Sequence, residues 1–244
     1  MTKMGRRLLG LAFMAVVVTA LTQLTVGAQA TPQTARPMKI GFIGSGNIGG
    51  AIGELLARAG HEVLFSSRNP DNLKPLVARV GARARAGTPK EAIAFGDVVF
   101  LGVPFSSMPQ IGQDYARELK GKIVIDAGNP NVRRDGPVAE AAVAKGAGLA
   151  TAELLPGARI VRAFNQLNFK VFLSEAHRTG DRVAVPLGSD DSEALAIVSR
   201  LVTDAGLEPV VVGSLAASKS FDSSQPIFLK TLTARELRAA LKLP

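Results

Sequence analysis

The chain has 244 residues, of which 29 are basic and 20 acidic, so its formal net charge at neutral pH is +9. It has no cysteine, which excludes disulfides, thiolate chemistry and cysteine-ligated metals. It has one tyrosine, no tryptophan and no cluster of basic residues with aromatics, so a nucleic-acid partner is not expected.

The first thirty residues have the pattern of an export signal. Lys3, Arg6 and Arg7 form a basic start, residues 8–24 are mostly apolar, and Ala28–Gln29–Ala30 is a small-residue cleavage site. We therefore expect a periplasmic or secreted protein with no stable membrane span after cleavage. Two alternatives stay open: an uncleaved membrane anchor, and twin-arginine export of a folded, cofactor-loaded protein instead of ordinary export. Without residues 1–30 the net charge falls from +9 to +6, because they contain three basic residues and no acidic one.

A short apolar strand, a glycine turn and a helix follow the signal. Lys39–Ile43 is the predicted strand, Gly44, Gly46 and Gly49 form Gly-x-Gly-x-x-Gly, and apolar residues then repeat at helical spacing as far as residue 59. This order of parts predicts a dinucleotide-binding turn. The first glycine permits the tight turn, the second lets the backbone approach a pyrophosphate, and the third lets the helix pack closely on the strand.

The end of the next predicted strand, Glu62–Phe65, indicates which nucleotide binds. An NAD site places an acidic residue there for the ribose hydroxyls, whereas this chain has Ser66, Ser67 and Arg68. Two hydroxyls and a guanidinium suit a 2′-phosphate, so the sequence predicts NADP(H).

The rest of the chain alternates between predicted strands and predicted helices. Further strands are predicted at residues 97–103, 122–126, 159–164, 181–187 and 207–212. Further helices are predicted at residues 70–80, 89–95, 108–119, 135–145, 150–155, 193–205 and 226–243, and the arginines of RVGARARAG are expected at a solvated loop edge. This alternation predicts an α/β fold with a doubly wound, mostly parallel sheet, the Rossmann NAD(P)-binding fold, and a short helical C-terminal appendage. We expect a signal at residues 1–30, the NADP-binding domain at 38–212, and a C-terminal segment and helix packed on it at 213–244.

Ligands of such a sheet lie across the carboxyl ends of the strands, at the point where the strand order reverses. We therefore predict cofactor contacts from the residues just past each strand. They are Gly44, Ser45, Gly46, Asn47, Ile48, Gly49, Ser66, Ser67, Arg68, Val103, Pro104, Asn129, Pro130, Ala163, Phe164 and Asn165. Apolar surfaces at 103–104 and 163–164 are expected to enclose the nicotinamide and shield a hydride from water. For Pro104 and Pro130, a role as strand terminators is an equal alternative.

The sequence shows no acid–base or metal-binding constellation. His61 lies in a link between a helix and a strand, and His177 lies in an expected exposed loop, so both are predicted to be structural. We predict no catalytic side chain and no metal ligand. Hydride transfer between a nicotinamide and a second redox ring needs only stacking, orientation and the exclusion of water. A site without acid–base or metal-binding residues agrees with such a reaction.

Several segments resemble the F-420-dependent NADP oxidoreductases, the family of NADPH-dependent reductases of a deazaflavin coenzyme. They are residues 43–49, 60–63, 66–68, 103–104, 124–126 with 129–130, 161–165 and 186–191. The resemblance implies direct hydride transfer between NADP(H) and coenzyme F-420 or a flavin, with the second ring stacked over the nicotinamide near the C-terminal segment. Ala163–Phe164–Asn165 is similar as well to the reductase domains of membrane metalloreductases, which pass electrons from NADPH to a flavin. The expected partner is a small-molecule redox acceptor, and a homodimer stays open as an alternative to a monomer.

Two other functions stay open as alternatives. One is a non-catalytic NADP-binding or sensor protein. The other is an imine reductase similar to pyrroline-5-carboxylate reductase, which shares the opening glycine motif. That family adds a long helical dimerisation region, and the room after Val212 is too short for one.

Overall fold

In the computed structural model, which describes residues 36–244, eight strands form one sheet in the order β3-β2-β1-β4-β5-β6-β7-β8. The strands are β1 Lys39–Ile43, β2 Glu62–Ser66, β3 Ala84–Gly87, β4 Val98–Leu101, β5 Ile123–Asp126, β6 Arg159–Arg162, β7 Ala184–Gly188 and β8 Glu208–Gly213. The first six are parallel, and β7 pairs antiparallel with β6 through Arg162 and Gly188. The predicted doubly wound, mostly parallel sheet is confirmed. The signal predicted at residues 1–30 lies outside the described residues.

Ten α-helices lie between or after these strands within residues 36–244. They are α1 Asn47–Arg58, α2 Lys74–Val80, α3 Pro89–Phe95, α4 Met108–Leu119, α5 Val132–Asp135, α6 Pro137–Lys145, α7 Ala147–Leu154, α8 Phe169–Glu175, α9 Ser192–Asp204 and α10 Ala234–Leu241. At α3 and α9, among others, the side chain of the residue before the helix caps its first turn. The hydroxyl of Thr88 accepts from the Glu91 amide in a capping box at α3, and the Asp191 carboxylate accepts from the Ala194 amide at α9. None of the helices in this part of the chain is both long and apolar enough to cross a bilayer.

The sheet has a hydrophobic core on each face, and the central strand β4 supplies both. Val98 and Phe100 belong to one core, which α1, α8 and α9 cover, and Val99 and Leu101 belong to the other, which α3, α4 and α7 cover. All four side chains are buried. A strand buried on both faces explains the continuous apolar run in the sequence, because a parallel sheet inside two helical layers has no solvent face.

A row of phenylalanine rings runs across the first of these cores. Successive ring centroids are 5.2 Å apart from Phe65 to Phe42, 5.0 Å from Phe42 to Phe100, 6.0 Å from Phe100 to Phe164, and 5.8 Å from Phe164 to Phe172. All five rings are fully buried. The row joins β2, β1 and β4 to the residues after β6 and to α8, so it fixes both halves of the sheet around one helical layer.

Two sequence predictions of local structure were wrong. The residues around Arg85, expected at a loop edge, form the edge strand β3, in which the central Arg85 and Ala86 face solvent and the terminal Ala84 and Gly87 are buried. Charged side chains are typical of edge strands, because they discourage pairing with another chain. The last helix does not begin at Pro226 but at Ala234. The Thr233 hydroxyl caps it in a second capping box, and Leu229 has a φ of 62°, which a right-handed helix does not accommodate.

The segment between β8 and α10, residues 214–233, packs on the last two strands. Phe221 and Ile227 of this C-terminal segment are buried with Val210 of β8 and Leu237 of α10. The segment also pairs with the sheet, because the Ala184 amide donates to the Leu232 carbonyl over 2.8 Å. This appendage therefore shares a core with the second half of the sheet.

Candidate functional site

A cavity of about 680 Å³ opens at the carboxyl ends of β1, β2 and β4. This is the place where the strand order reverses, between β1 and β4, and where a doubly wound sheet binds its ligand. One wall consists of residues just past the three strands: Gly44, Ser45, Gly46, Ser66, Ser67, Arg68, Val103 and Pro104. The opposite wall, which the sequence did not predict, comes from the start and outer face of α4: Ser106, Ser107, Gln110, Ile111, Asp114 and Tyr115.

The three motif glycines meet different surroundings. Gly44 has a φ of +91°, and a Cβ on it would lie 2.5 Å from the Gly102 carbonyl oxygen. A Cβ on Gly49 would lie 2.1 Å from the Gly44 carbonyl oxygen, so the close approach of α1 to β1 requires glycine there. By contrast, a Cβ on Gly46 would have no protein atom within 4 Å. Two of the glycines therefore serve the fold, whereas Gly46 leaves room beside the backbone for a ligand.

The first turn of α1 offers unsatisfied amides to this room. Gly46 is the N-cap residue and provides no side-chain cap, and the first turn contains no acidic residue. The partial positive charge of the helix N-terminus therefore meets no carboxylate from its own first turn. Asn47 and Ile48, predicted as contacts, lie in this turn but are not among the residues that line the cavity. A pyrophosphate suits such a site, because it accepts from backbone amides and carries the opposite charge.

The serines after β1 and β2 are used partly by the protein itself. The buried Ser66 hydroxyl donates to the Phe42 carbonyl over 2.6 Å, and the Ser45 hydroxyl donates to the Ser66 carbonyl over 3.1 Å. The Ser67 hydroxyl accepts from the Asn69 amide over 3.1 Å. Ser66 therefore braces β2 against β1, and all three serines border the cavity.

Arg68 differs from the arginines near it. Arg79 pairs with the buried Glu54 at 3.1 Å, and Arg85 pairs with Glu62 at 3.1 Å. Arg68 is exposed at the cavity rim and has no carboxylate partner among the residues that the structure describes. Its guanidinium is thus available for a phosphate on the ribose side of the cavity.

The loops after β4 and β5 are tied together by Asp135. Its fully buried carboxylate accepts from Arg134 Nε over 2.8 Å and from the Asn131 amide over 3.0 Å. Hydrogen bonds from Arg134, and then from Asn131 and from Ser106 in the cavity wall, hold the pKa of Asp135 well below its usual range. The carboxylate is therefore ionised at neutral pH and ties the loop after β5 to the cavity wall at Ser106.

The remaining predicted contacts do not line the cavity. Pro130 is buried and Asn129 is half-buried, with its amide nitrogen donating to the Asn165 carbonyl over 2.7 Å. Ala163 and Phe164 are fully buried and Asn165 is nearly so. Phe164 has a φ of 60° and its ring belongs to the phenylalanine row, so it presents no surface to a nicotinamide in this structure. The sequence correctly placed these residues just past the ends of β5 and β6. The direction of the Phe164 ring, however, depends on tertiary packing.

The two histidines lie away from the cavity. His61 is buried, its Nδ1 accepts from the Met38 amide over 3.1 Å and its Nε2 lies 3.2 Å from Asp204. Burial lowers its pKa, although Asp204 opposes the shift, and the Met38 bond requires an unprotonated Nδ1. His177 is exposed in the turn after α8. Within residues 36–244, no group of three or more histidine, aspartate or glutamate side chains is arranged to hold a metal ion.

Comparison with known proteins supports the nucleotide site. Residues 39–130, which include the whole first wall of the cavity, match the family described as NADP oxidoreductase coenzyme F420-dependent. The predicted family resemblance is confirmed. Metalloreductase STEAP3 of Rattus norvegicus is 28% identical over 188 residues, which are 76% of this chain. The chain spans 36% of the length of that relative.

Solved structures show the same fold. The hypothetical protein SMa0349 of Sinorhizobium meliloti is 28% identical, with a TM-score of 0.69 over 81% of this chain and 95% of its own. A proposed F420-dependent NADP reductase of Arthrobacter sp. fb24 is 21% identical, with a TM-score of 0.63 over 75% of this chain and 88% of its own. These structures support the fold, and the family match over residues 39–130 supports an NADP(H)-dependent oxidoreductase.

Proposed function

We propose that the protein binds NADP(H) in the cavity at β1, β2 and β4 and transfers a hydride between it and a flavin or a deazaflavin such as coenzyme F-420. The observation that carries the proposal is Gly46, where a side chain would meet no protein atom although the neighbouring Gly44 and Gly49 are fixed by close contacts. The fold does not require a glycine at this position, whereas a pyrophosphate against the start of α1 does.

The residues of the cavity can hold the nucleotide in one orientation. The amides at the start of α1 bind the pyrophosphate, and Arg68 binds the 2′-phosphate at the rim. The nicotinamide half then extends past Val103 and Pro104 towards the ends of β5 and β6. When bound, the nicotinamide ring supplies the hydride chemistry, and the protein contributes binding, orientation and the exclusion of water.

The position of the acid–base groups in the cavity supports a ring-to-ring hydride transfer. Among its lining residues the ionisable side chains are Arg68, Asp114 and Tyr115, and all three lie on the rim or on the α4 wall rather than between β4 and β5. Reduction of a carbonyl or an imine requires a proton donor near the nicotinamide, whereas a flavin or deazaflavin accepts a hydride directly. The family match and the metalloreductase relative also support a redox-ring acceptor.

The purified protein can be tested by mixing it with NADPH and, separately, coenzyme F-420, FMN or a ferric chelate, while the NADPH absorbance is followed. We expect catalytic loss of absorbance with F-420 or FMN. If the ferric chelate accelerates the loss of NADPH absorbance only when a flavin is also present, the flavin carries electrons from NADPH to the metal. A parallel reaction with the Arg68→Ala variant at the same NADPH concentration controls for oxidation that does not use the site.

A non-catalytic NADP-binding protein is the second candidate, and the burial of Ala163, Phe164 and Asn165 favours it. Because these side chains are buried, the structure presents no apolar surface at the end of β6 on which a flavin or deazaflavin ring could stack. Tight NADPH binding without oxidation by any of the three acceptors would select this candidate.

We also propose that the protein is exported through its N-terminal residues. The support is the basic start, the apolar run and the small-residue site of residues 1–30. Replacing Arg6 and Arg7 with lysine tests the route, because a twin-arginine signal loses function while an ordinary signal does not. Recovery of the protein in the cytoplasm alone, with its N-terminus intact, would contradict export.

A further inference from the structure

An arginine without solvent contact lies beneath the end of the sheet. Arg162, the last residue of β6, is 0% exposed, and the guanidinium is held between two carboxylates. Its Nη2 lies 2.9 Å from Asp222 Oδ1, and its Nη1 lies 3.2 Å from Asp126 Oδ2. Asp126 ends β5, whereas Asp222 comes from the C-terminal segment, sixty residues after Arg162. Arg162 therefore joins the sheet to the appendage.

The two carboxylates have partners on both oxygens. Asp126 accepts from the Gly128 amide over 2.9 Å and from the Thr151 hydroxyl over 3.0 Å, and Asp222 accepts from the Ala147 amide over 3.0 Å. Burial raises the pKa of Asp126, while Arg162 and the two hydrogen bonds oppose that rise. A buried charge is tolerated only when it is paired and hydrogen-bonded, and this cluster meets that condition for each member.

The remaining donors of Arg162 go to the turn after β5. Nη1 donates to the Gly128 carbonyl over 2.5 Å and to the Asp126 carbonyl over 3.2 Å, and Nη2 donates to Asn129 Oδ1 over 3.3 Å. Asn165 donates to the same Asn129 oxygen over 3.3 Å and to the Phe221 carbonyl over 3.0 Å. The planar guanidinium thus sets the shape of the turn, because its N–H groups have fixed directions.

This turn lies next to the nucleotide cavity. A Cβ on Gly128 would lie 3.9 Å from the Val103 carbonyl oxygen, and Val103 lines the cavity. The Gly128–Asn129 turn therefore stands between the cavity wall and Arg162. It is also the next strand end along the sheet from β4, in the direction in which the nicotinamide half would extend.

We propose that Arg162 is a positioning residue, which holds the Gly128–Asn129 turn in the shape that orients the nicotinamide half of NADP(H), and that the C-terminal segment takes part through Asp222. The inference rests on the proposed function. It assigns the C-terminal segment a role in hydride transfer, although none of its residues lines the cavity.

The test compares two ligands that share the adenosine half, NADPH and 2′,5′-ADP. Arg162→Lys keeps the buried positive charge, but one ammonium cannot serve Asp222, Gly128 and Asn129 in the same plane. We expect 2′,5′-ADP to bind the Arg162→Lys variant within about twofold of the wild type, because Arg68 and α1 are unchanged. The fluorescence enhancement of NADPH on binding should be largely lost, and hydride transfer to FMN at saturating NADPH should be at least roughly tenfold slower.

Thr151→Val is the matched control. It removes a fully buried hydrogen bond to the same Asp126 but touches neither Gly128 nor Asn129. Both variants should lower the melting temperature, and only Arg162→Lys should change the nicotinamide signal and the rate. Equal losses of the NADPH fluorescence enhancement in both variants would show that Arg162 has only a structural role.

A second variant keeps the inference testable if Arg162→Lys does not fold. Asp222→Asn removes the charge on the C-terminal segment while leaving Arg162 its contact with Asp126, and we expect a smaller loss of the same signal and the same rate. A wild-type signal and a wild-type rate in the folded variants would overturn the positioning role alone. Failure of the wild-type protein to bind 2′,5′-ADP would instead overturn the proposed function.

Discussion

Replacement of Gly46 by alanine tests whether this glycine is required for nucleotide binding or for the stability of the fold. Gly46 has a φ of −76°, which alanine adopts without strain, and its Cβ would have no protein atom within 4 Å. Alanine reduces the entropy of the unfolded chain but is a poorer N-cap than glycine, and each effect is below about 1 kcal/mol. The free energy of unfolding without nucleotide should therefore change by less than about 1 kcal/mol.

The same methyl group would compete with the pyrophosphate for the space beside the backbone. Crowding of this kind costs about 1–3 kcal/mol, so we expect NADPH affinity to fall roughly 5- to 150-fold. Urea unfolding measures the stability, and titration of NADPH fluorescence measures the affinity.

Gly49→Ala is the control, because it should show the opposite pattern. Its Cβ would lie 2.1 Å from the Gly44 carbonyl oxygen, so α1 must move and the protein should lose about 1–3 kcal/mol of stability or more. Wild-type NADPH affinity in a folded Gly46→Ala variant would refute the placement of the pyrophosphate.

Three further substitutions test other parts of the molecule. Arg68→Ala should weaken NADPH binding roughly 10- to 100-fold and NADH binding much less, because it removes a charge-assisted contact to the 2′-phosphate; equal losses for both nucleotides in titrations would contradict the NADP(H) assignment. Asp135→Asn should lower stability at neutral pH by about 2 kcal/mol. Because the pKa of Asp135 is lower in the folded than in the unfolded chain, its contribution to the free energy of unfolding is present above about pH 4 and is lost as the pH falls. Urea unfolding across this range should therefore show a smaller loss of stability towards acid pH in the variant than in the wild type. Parallel curves of stability against pH would argue against the role of Asp135 in tying the loops together. Phe164→Ala should cost about 3–5 kcal/mol in chemical denaturation, since its ring is fully buried between Phe100 and Phe172, and a loss under about 1 kcal/mol would show that the ring leaves the core in solution.

The first half of the fold was predictable because its signals are local. The glycine motif specifies the turn, the helix start and the close packing of α1 within a dozen residues, and Thr88 with Glu91 marks the start of α3. The end of the chain has the same kind of signal in Thr233 and Glu236, but apolar spacing upstream suggested an earlier start. Where spacing and a capping box disagree, the cap gives the boundary, because it satisfies amides that only the first turn exposes.

The parts that the sequence did not predict depend on contacts between distant residues. The position of Phe164 just past β6 could be predicted, because ligands of such a sheet lie at its strand ends. The direction of its ring follows from contacts with Phe100 and Phe172, which lie on other elements. Asp222 has no local pattern that marks it as a partner of Arg162, because the pair forms only after the C-terminal segment packs on β7 and β8. Local periodicity cannot report such pairs, since they are products of tertiary packing.

All residues that line the nucleotide cavity lie between Ile43 and Tyr115, in one continuous stretch of the chain. The part of the site proposed to hold the adenosine half and the pyrophosphate of NADP(H) is therefore encoded separately from β5 to α10. Under the proposed function, substitutions accumulating after residue 126 can alter the nicotinamide position and the molecule that receives the hydride while the binding of the adenosine half is retained. A duplicated gene with this layout could acquire a new acceptor without first losing its source of electrons.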